Sequence, residues 1–260
     1  MKTRIITALI LVAIIAPILY FGGIPFKIFA AVASILATKE ILDIVGKKWN
    51  PILKYSTYLV CLLTAFSDFL GISYFVLMEA AMIVWLGFWL VQDENVRFED
   101  IGLVYIYSTI FAMMVAGVLR MYDYGNLFVF YMAFGTTFPD MFAYFVGRAI
   151  GKHKLNVRIS PNKTIEGSVG GYIAGAIICF VYGFLVLQKF YALPTAFIVV
   201  SALTLPLVGQ IGDLFYSAIK RHYGIKDFSN LFPGHGGVLD RLDSISFNSM
   251  LLYALIVVML

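Results

Sequence analysis

The sequence is poor in charged residues and in cysteine. Only 13% of its 260 residues are charged, whereas 61% are hydrophobic, and the mean hydropathy is +0.90. A soluble domain of this length could not bury so much apolar surface, because surface area falls slowly with chain size. The same composition excludes a disordered chain. Cys61 and Cys179 lie in separate apolar runs without Cys or His at metal spacing, so we expect small buried side chains and no zinc site.

Several sequence motifs of soluble enzymes are also missing. Gly147 and Lys152 resemble part of a P-loop, but the spacing is one residue short and no Ser or Thr follows the lysine. The glycines at 234–237 do not form a dinucleotide fingerprint. Neither Gly-x-Ser-x-Gly nor His-Glu-x-x-His occurs. None of these motifs therefore indicates a function for the chain.

Long apolar runs indicate an all-α integral membrane protein. A spanning helix needs about 20 mostly apolar residues, and runs bounded by charge, Pro or Gly predict about nine spans. Membrane β-strands would instead alternate polar and apolar residues. We interpret the first run as a retained helix, because no small-x-small cleavage site follows it. The predicted spans are 5–21, 24–45, 52–67, 73–92, 101–120, 125–148, 168–188, 193–219 and 245–260.

The positive charges support this count. With nine spans, 15 of the 19 Lys and Arg residues fall on one side of the membrane. These are Lys2, Arg4, Lys47, Lys48, Lys54, Arg97, Arg148, Lys152, Lys154, Arg158, Lys163, Lys220, Arg221, Lys226 and Arg241. The positive-inside rule makes that side, with the N-terminus, cytoplasmic. We therefore expect a multi-pass protein of the cell membrane.

The chain divides by polarity along its length. Residues 1–130 are apolar with short loops, whereas residues 131–260 contain two segments dense in Gly, Pro, Lys, His and Asp. No repeat or low-complexity tract occurs. We expect a single polytopic membrane domain, 1–260, with its chemistry in the C-terminal half.

Acidic side chains inside membrane spans are costly and usually functional. The predicted spans contain Glu40, Glu79, Asp140 and Asp213. The isolated Glu79 favours a structural role, and for Glu40 structure and function are equally open. Asp213 is aligned with Ser217 and Lys220 at i+4 and i+7, which places the three on one helix stripe.

The segment 226–244 is the most polar in the chain. It contains a Pro-Gly-His-Gly-Gly turn around His235, of the type whose backbone N–H groups bind anions. Asp240 and Asp243 follow at i and i+3, on one face at the start of the last helix. With Asp213 they are candidate Mg²⁺ ligands, since Mg²⁺ takes one or two carboxylates and completes its shell with water and substrate phosphates. Helix capping alone would not require the basic residues and histidine beside them.

A second polar segment, 139–167, carries five basic residues and a Ser-Pro-x-Lys-Thr-x-Glu-Gly sequence that begins at Ser160. A positive-inside loop explains the charges but not this sequence. Ser160 or Thr164 is a candidate cap for the next helix. Beyond it, Gly171 and Gly175 form a small-xxx-small pair typical of helix packing.

Residues 217–243 resemble the signature of the phosphatidate cytidylyltransferase (CDP-diacylglycerol synthase) family. They contain Ser-x-x-Lys-Arg, Lys-Asp, Pro-x-His-Gly-Gly and Asp-Arg-x-Asp with the family spacings. The Asp-x-x-Ala-Tyr-x-x-Gly-Arg element that begins at Asp140, and residues 160–167, are also similar to the family. The departures are Asn162, Ile165 and Phe228. The resemblance extends over residues 135–245 and is only general before them.

This resemblance implies that CTP and phosphatidate react to give CDP-diacylglycerol and pyrophosphate in phospholipid biosynthesis, with Mg²⁺. We expect Asp213, Asp240 and Asp243 to bind the metal, with K⁺ as a candidate second cation, and assign catalysis to these residues and Lys220. The expected substrate-binding residues are Asp140, Arg148, Ser160, Lys163, Glu166, Ser217, Arg221, Lys226, Asp227, His235, Gly236, Gly237 and Arg241. Among them, the His235-Gly236-Gly237 turn is expected to hold phosphate through its backbone.

Two groups of alternatives remain at this point. A CTP-dependent lipid kinase, or a cytidylyltransferase for another lipid phosphate, would share the basic loops and metal carboxylates; the kinase would release CDP. An ion-coupled transporter would spread polar residues through the spans, whereas here they concentrate at one face and in two loops. A CDP-alcohol phosphotransferase is disfavoured because its Asp-Gly-x-x-Ala-Arg element is missing. We expect no nucleic-acid partner, and the resemblance implies a homodimer in which the apolar N-terminal half is a candidate interface.

Overall fold

The computed structural model describes residues 2–47, 49–92 and 96–260, and these residues are mostly helical. The helices are α1 (Lys2–Phe21), α2 (Gly23–Val45), α3 (Pro51–Ala65), α4 (Ser67–Leu70), α5 (Tyr74–Gln92), α6 (Phe98–Tyr124), α7 (Asn126–Ile150), α8 (Ile165–Tyr182), α9 (Gln188–Tyr191), α10 (Thr195–His222) and α11 (Leu239–Met259). A π-helical turn, Gly183–Leu187, joins α8 to α9. Each predicted apolar run therefore coincides with a helix.

Four helical segments in the described part of the chain are long and apolar enough to cross a membrane. They are Phe98–Tyr124, Ile165–Tyr191, Thr195–His222 and Leu239–Met259. Leu9–Phe21 and Phe75–Val91 are shorter apolar helical stretches. These helices make the chain a multi-pass membrane protein. The count of nine spans stays a prediction, and Lys48, which entered the charge argument, lies outside the described residues.

A β-hairpin interrupts the helical pattern where the sequence predicts only a loop. Strands β1 (Lys154–Asn156) and β2 (Ser160–Thr164) pair antiparallel, with Lys154 opposite Thr164 and Asn156 opposite Ser160. Helix α8 begins directly after β2, and the Thr164 hydroxyl accepts a hydrogen bond from the Gly167 N–H at 3.1 Å. The predicted cap at Thr164 is confirmed. The hairpin is therefore directly continuous with the N-terminus of α8.

The chain forms two compact units. The N-terminal unit comprises Met1–Ala116 and Asp227–Asp240, and the C-terminal unit comprises Gly117–Lys226 and Arg241–Leu260. Most of the polar segment 226–244, from Asp227 to Asp240, thus belongs with the N-terminal helices, although it is remote from them in sequence. A single domain over 1–260 stays a prediction.

Close helix contact in the C-terminal unit depends on glycine. A Cβ atom on Gly171 would overlap the Pro139 carbonyl oxygen of α7, and one on Gly175 would overlap the Pro139 ring. The predicted small-xxx-small packing is confirmed, since only glycine lets α7 and α8 approach this closely. These contacts fix the orientation of the α7 segment that carries Asp140.

Buried polar pairs join the other helices of this unit. The Asn248 amide of α11 donates to the Thr136 hydroxyl of α7 at 2.8 Å. The Gln210 amide of α10 donates to the Ser168 carbonyl of α8 at 3.2 Å. Such hydrogen bonds satisfy polar groups that lipid cannot solvate. They join α11 to α7 and α10 to α8.

The N-terminal unit has its own core. Trp85, Ile41 and Leu53 are among its fully buried side chains. Cys61 is buried beside Ser108, with 3.2 Å between sulfur and hydroxyl oxygen. Cys61 and Cys179 are both free and buried, which confirms the interpretation of the cysteines as core residues.

Candidate active site

Three carboxylates of the C-terminal unit form an acidic cluster: Asp140 on α7, Asp213 on α10 and Asp243 on α11. The charge of Asp213 acts on both other carboxylates, and Asp140 acts on Asp243. Ser217 lies one turn after Asp213, and its hydroxyl donates to Asp213 Oδ1 at 3.3 Å. The predicted stripe on α10 therefore forms, and three separate helices supply the acidic groups.

Cationic side chains surround the acidic cluster. Lys163 on β2 forms an ion pair with Asp213 Oδ2, and its charge also acts on Asp140. Lys220 is only 8% exposed and interacts electrostatically with Asp243. Arg241 interacts with Asp140. The hairpin, α10 and α11 thus bring opposite charges together, an arrangement suited to a metal–phosphate complex with charges of both signs.

The donor chemistry of the acidic cluster fits Mg²⁺. Carboxylate oxygens are the protein ligands that this hard cation prefers. In residues 2–47, 49–92 and 96–260, however, no three His, Cys, Asp or Glu side chains converge closely enough to hold a metal ion. A site with fewer protein ligands still fits, because Mg²⁺ commonly takes one or two carboxylates together with water and substrate phosphates. Asp213 and Asp243 would hold such an ion.

The signature loop, residues 227–238, is ordered within the N-terminal unit. The Phe232 N–H donates to the Gly236 carbonyl at 2.8 Å, and the His235 N–H donates to the Phe232 carbonyl at 2.8 Å. Gly234 and Gly236 have φ values of 77° and 81°, a conformation that favours glycine. The Pro-Gly-His-Gly-Gly sequence therefore forms the predicted tight turn.

Two carboxylates, Asp240 and Glu40, accept hydrogen bonds from backbone N–H groups of this loop. Asp240 Oδ2 accepts hydrogen bonds from the Phe228 N–H at 2.8 Å and from the Gly237 N–H at 2.9 Å. Glu40 on α2 accepts from the Val238 N–H at 2.8 Å and the Leu239 N–H at 2.9 Å. The successive N–H groups of residues 237–239 thus already have protein acceptors. Because the His235 N–H also has a protein acceptor, the anion hypothesis for the His235-Gly236-Gly237 turn is narrowed to the Gly236 N–H.

Two other predicted substrate-binding residues, Glu166 and Arg221, form hydrogen bonds to the hairpin segment. The Glu166 carboxylate accepts from the Lys152 N–H at 3.1 Å and lies 2.6 Å from His153 Nδ1, so it joins α8 to the start of the hairpin. The Arg221 guanidinium donates to the Ile159 carbonyl at 3.2 Å and thereby joins α10 to the hairpin.

The remaining predicted residues differ in exposure. The Arg148 guanidinium donates to the Tyr144 hydroxyl at 3.1 Å at an exposed position of α7. Lys226, Asp227 and Arg241 are exposed, and Ser160 is half-buried in β2. His235 is half-buried as a whole, but its Nδ1 atom is buried without a hydrogen-bond partner in the part of the chain that is described. Their roles stay predictions.

The sequence did not assign Glu40 to the signature loop. The residue is 4% exposed, and its carboxylate accepts a third hydrogen bond, from the Ser229 hydroxyl at 2.7 Å. These partners lie 189 to 199 residues away along the chain. The sequence shows only that Glu40 is an acidic residue inside an apolar run. This position indicates that its carboxylate has a buried partner, but it does not identify the partner.

A mostly helical membrane scaffold that brings carboxylates of α7, α10 and α11 together with cations of β2, α10 and α11 suits chemistry on phosphate groups. The chain belongs to the cytidylyltransferase family, whose sequence model matches residues 2–259.

Curated relatives named phosphatidate cytidylyltransferase match the chain along its full length. The protein of Bacillus subtilis is 31% identical over 265 residues, which cover 98% of this chain and 97% of the relative. That of Staphylococcus haemolyticus is 32% identical over 268 residues and covers both chains completely, at 100% each. That of Staphylococcus aureus is 30% identical over 266 residues and covers 99% of each.

Proposed function

We propose that this protein is a phosphatidate cytidylyltransferase, which converts CTP and phosphatidate to CDP-diacylglycerol and pyrophosphate in phospholipid biosynthesis. The observation that carries the proposal is the acidic cluster with its surrounding cations, in a chain that matches relatives of that name from end to end. Two polyanions must meet in this reaction, and charges of both signs are needed to offset their repulsion.

The bond changes place few demands on acid–base catalysis. A phosphate oxygen of phosphatidate attacks the α-phosphorus of CTP, and the bond from that phosphorus to the bridging oxygen of the β-phosphate breaks. Pyrophosphate leaves with the electron pair. Because the attacking phosphate is already ionised, no strong general base is required.

The chain's own residues supply positioning and charge. Asp213 and Asp243 would hold Mg²⁺, which when bound neutralises phosphate charge and aligns the reacting oxygens. Lys220 and Arg241 would stabilise charge on the phosphates. Lys163, paired with Asp213, would exchange this carboxylate for a substrate phosphate oxygen. Participation of Asp240 and of K⁺ is proposed from the family resemblance alone.

Product analysis with purified protein in detergent tests this function. Phosphatidate and α-labelled CTP would be incubated with Mg²⁺ or with EDTA. We expect label in the lipid phase and pyrophosphate in the aqueous phase, and neither with EDTA. Labelled CDP without labelled lipid would refute the proposal in favour of a CTP-dependent kinase, and absence of CTP turnover with any lipid phosphate would refute both.

We also propose that the polar loops face the cytoplasm of a bacterial cell and that the protein is a homodimer. The one-sided distribution of Lys and Arg supports the orientation. Both native cysteines are buried, so a Lys152→Cys variant should react with a membrane-impermeant maleimide in inside-out vesicles and not in right-side-out vesicles. The mass of the purified protein in detergent tests the dimer.

A further inference from the structure

We infer that Glu40 on α2 is a positioning residue for the proposed transferase reaction, because it sets the conformation of the signature loop. This inference rests on the proposed function. It adds a role for α2 in the signature loop. The contacts that support this role lie inside the N-terminal unit.

The Glu40 side chain is buried. The residue is 4% exposed, and a carboxylate at such a position would be strongly unfavourable without compensation. Glu40 receives this compensation from three donors: Oε1 accepts from the Ser229 hydroxyl and the Val238 N–H, and Oε2 accepts from the Leu239 N–H. These three donors lie in the signature loop and at the first residue of α11.

The Glu40 carboxylate also interacts favourably with the start of α11. Leu239 is the first residue of α11, so the Glu40 carboxylate lies at the positive end of the helix dipole. The two backbone donors are among the N–H groups that a helix leaves without intrahelical partners at its start. Hydrogen bonds to a charged acceptor are roughly twice as strong as neutral ones. Glu40 therefore fixes both where α11 begins and how the loop enters it.

Glu40 lies close against the backbone of the signature loop. A Cβ atom on Gly237 would overlap the Glu40 carboxylate. The glycine at this position is thus explained by the approach of Glu40, without a ligand on the backbone. On the other side of the same turn, Asp240 accepts from the Gly237 N–H. Displacement of Glu40 would release two consecutive amides and shift the turn that presents His235 and Asp240.

Glu40→Gln tests this role with little change of volume. The amide keeps one acceptor oxygen but directs an NH₂ group at a backbone donor, so at least one of the three hydrogen bonds is lost. We expect turnover to fall about 10- to 100-fold, with the KM values for CTP and phosphatidate changed less than kcat. Asp43→Asn is the matched control, since Asp43 is an exposed acid on the same helix and its loss should leave turnover unchanged.

Hydrogen exchange gives a readout that does not depend on activity. In Glu40→Gln, amides of residues 228–239 should exchange at least about tenfold faster, while α2 and α6 keep their protection. Ser229→Ala removes one donor without changing the charge and should give a smaller effect at the same loop. It keeps the test valid if Glu40→Gln does not accumulate in membranes.

Three results would overturn the inference. They are unchanged exchange of residues 228–239 in both variants, equally increased exchange throughout α2 and α6, and kcat within about twofold of the wild type despite a loosened loop. Failure of the proposed function is distinguishable, because wild-type protein would then form no CDP-diacylglycerol while the exchange difference persisted.

Discussion

Asp213→Asn separates catalysis from stability in the acidic cluster. The substitution removes the negative charge that pairs with Lys163 and replaces the carboxylate that accepts a hydrogen bond from the Ser217 hydroxyl. It also relieves the repulsion that Asp213 exerts on Asp140 and Asp243. For folding these two effects oppose each other, whereas for Mg²⁺ binding the lost ligand and the lost negative charge are both unfavourable.

The expected change in stability follows from how exposed the Lys163–Asp213 ion pair is. The Lys163 and Asp213 side chains are 31% and 20% exposed, which places the pair between a surface ion pair worth about 0–1 kcal/mol and a buried pair whose disruption costs about 3–5 kcal/mol. Relief of the carboxylate repulsion offsets part of this loss, so we expect stability to change by about 1 kcal/mol or less. Turnover should fall on the order of a hundredfold or more, as when a preorganised electrostatic group is removed.

Incorporation of labelled CTP into lipid measures the activity, and thermal unfolding in the same detergent measures the stability. Asp123→Asn is the control, because Asp123 is 64% exposed and forms a 3.6 Å surface pair with Arg120. Activity of Asp213→Asn within about threefold of wild type would refute the ligand role. A large fall in the unfolding temperature that accounts for the lost activity would equally refute the reasoning on opposing charges.

Three further outcomes are expected. No three potential ligands converge in the described residues, so we expect substrate phosphates to complete the metal site. Mn²⁺, used as a probe in place of Mg²⁺, should therefore bind weakly without CTP and saturably with it. Tight binding of Mn²⁺ to the nucleotide-free protein would contradict this. Gly175→Ala, which would overlap the Pro139 ring, should lower stability by about 1–3 kcal/mol in thermal unfolding, whereas Gly87→Ala, with open space around it, should not. Asn248→Ala leaves the buried Thr136 hydroxyl without this donor and should cost about 1–3 kcal/mol; an unchanged unfolding temperature would show that the pair contributes nothing.

Sequence reasoning succeeded where the determining pattern is local. The Thr164 cap, the Gly171–Gly175 pair and the Asp213–Ser217 stripe are spacings of three or four residues, which a helix converts directly into contacts. The hairpin was missed because its strands are short and lie in a charged segment that contains a proline. Alternating hydrophobicity, the usual strand signal, is absent there.

The contacts of Glu40 could not be predicted for a different reason. Its partners are separated from it by 189 to 199 residues, and no periodicity links them. The sequence also attributed the glycines of the signature loop to a possible anion site. In the folded chain the amides of residues 237–239 bond to Glu40 and Asp240 instead, which only the tertiary structure reveals.

The membership of the signature loop in the N-terminal unit has a consequence for recombining this chain with its relatives. The segment Asp227–Asp240 packs with Met1–Ala116, although the chain on both sides of it belongs to the other unit. A chimera joined near residue 116 would therefore separate the loop from the helix that holds it. Exchanging residues 227–240 together with the N-terminal helices should give active hybrids more often. Glu40 and the backbone N–H groups that bond to it then come from the same parent protein.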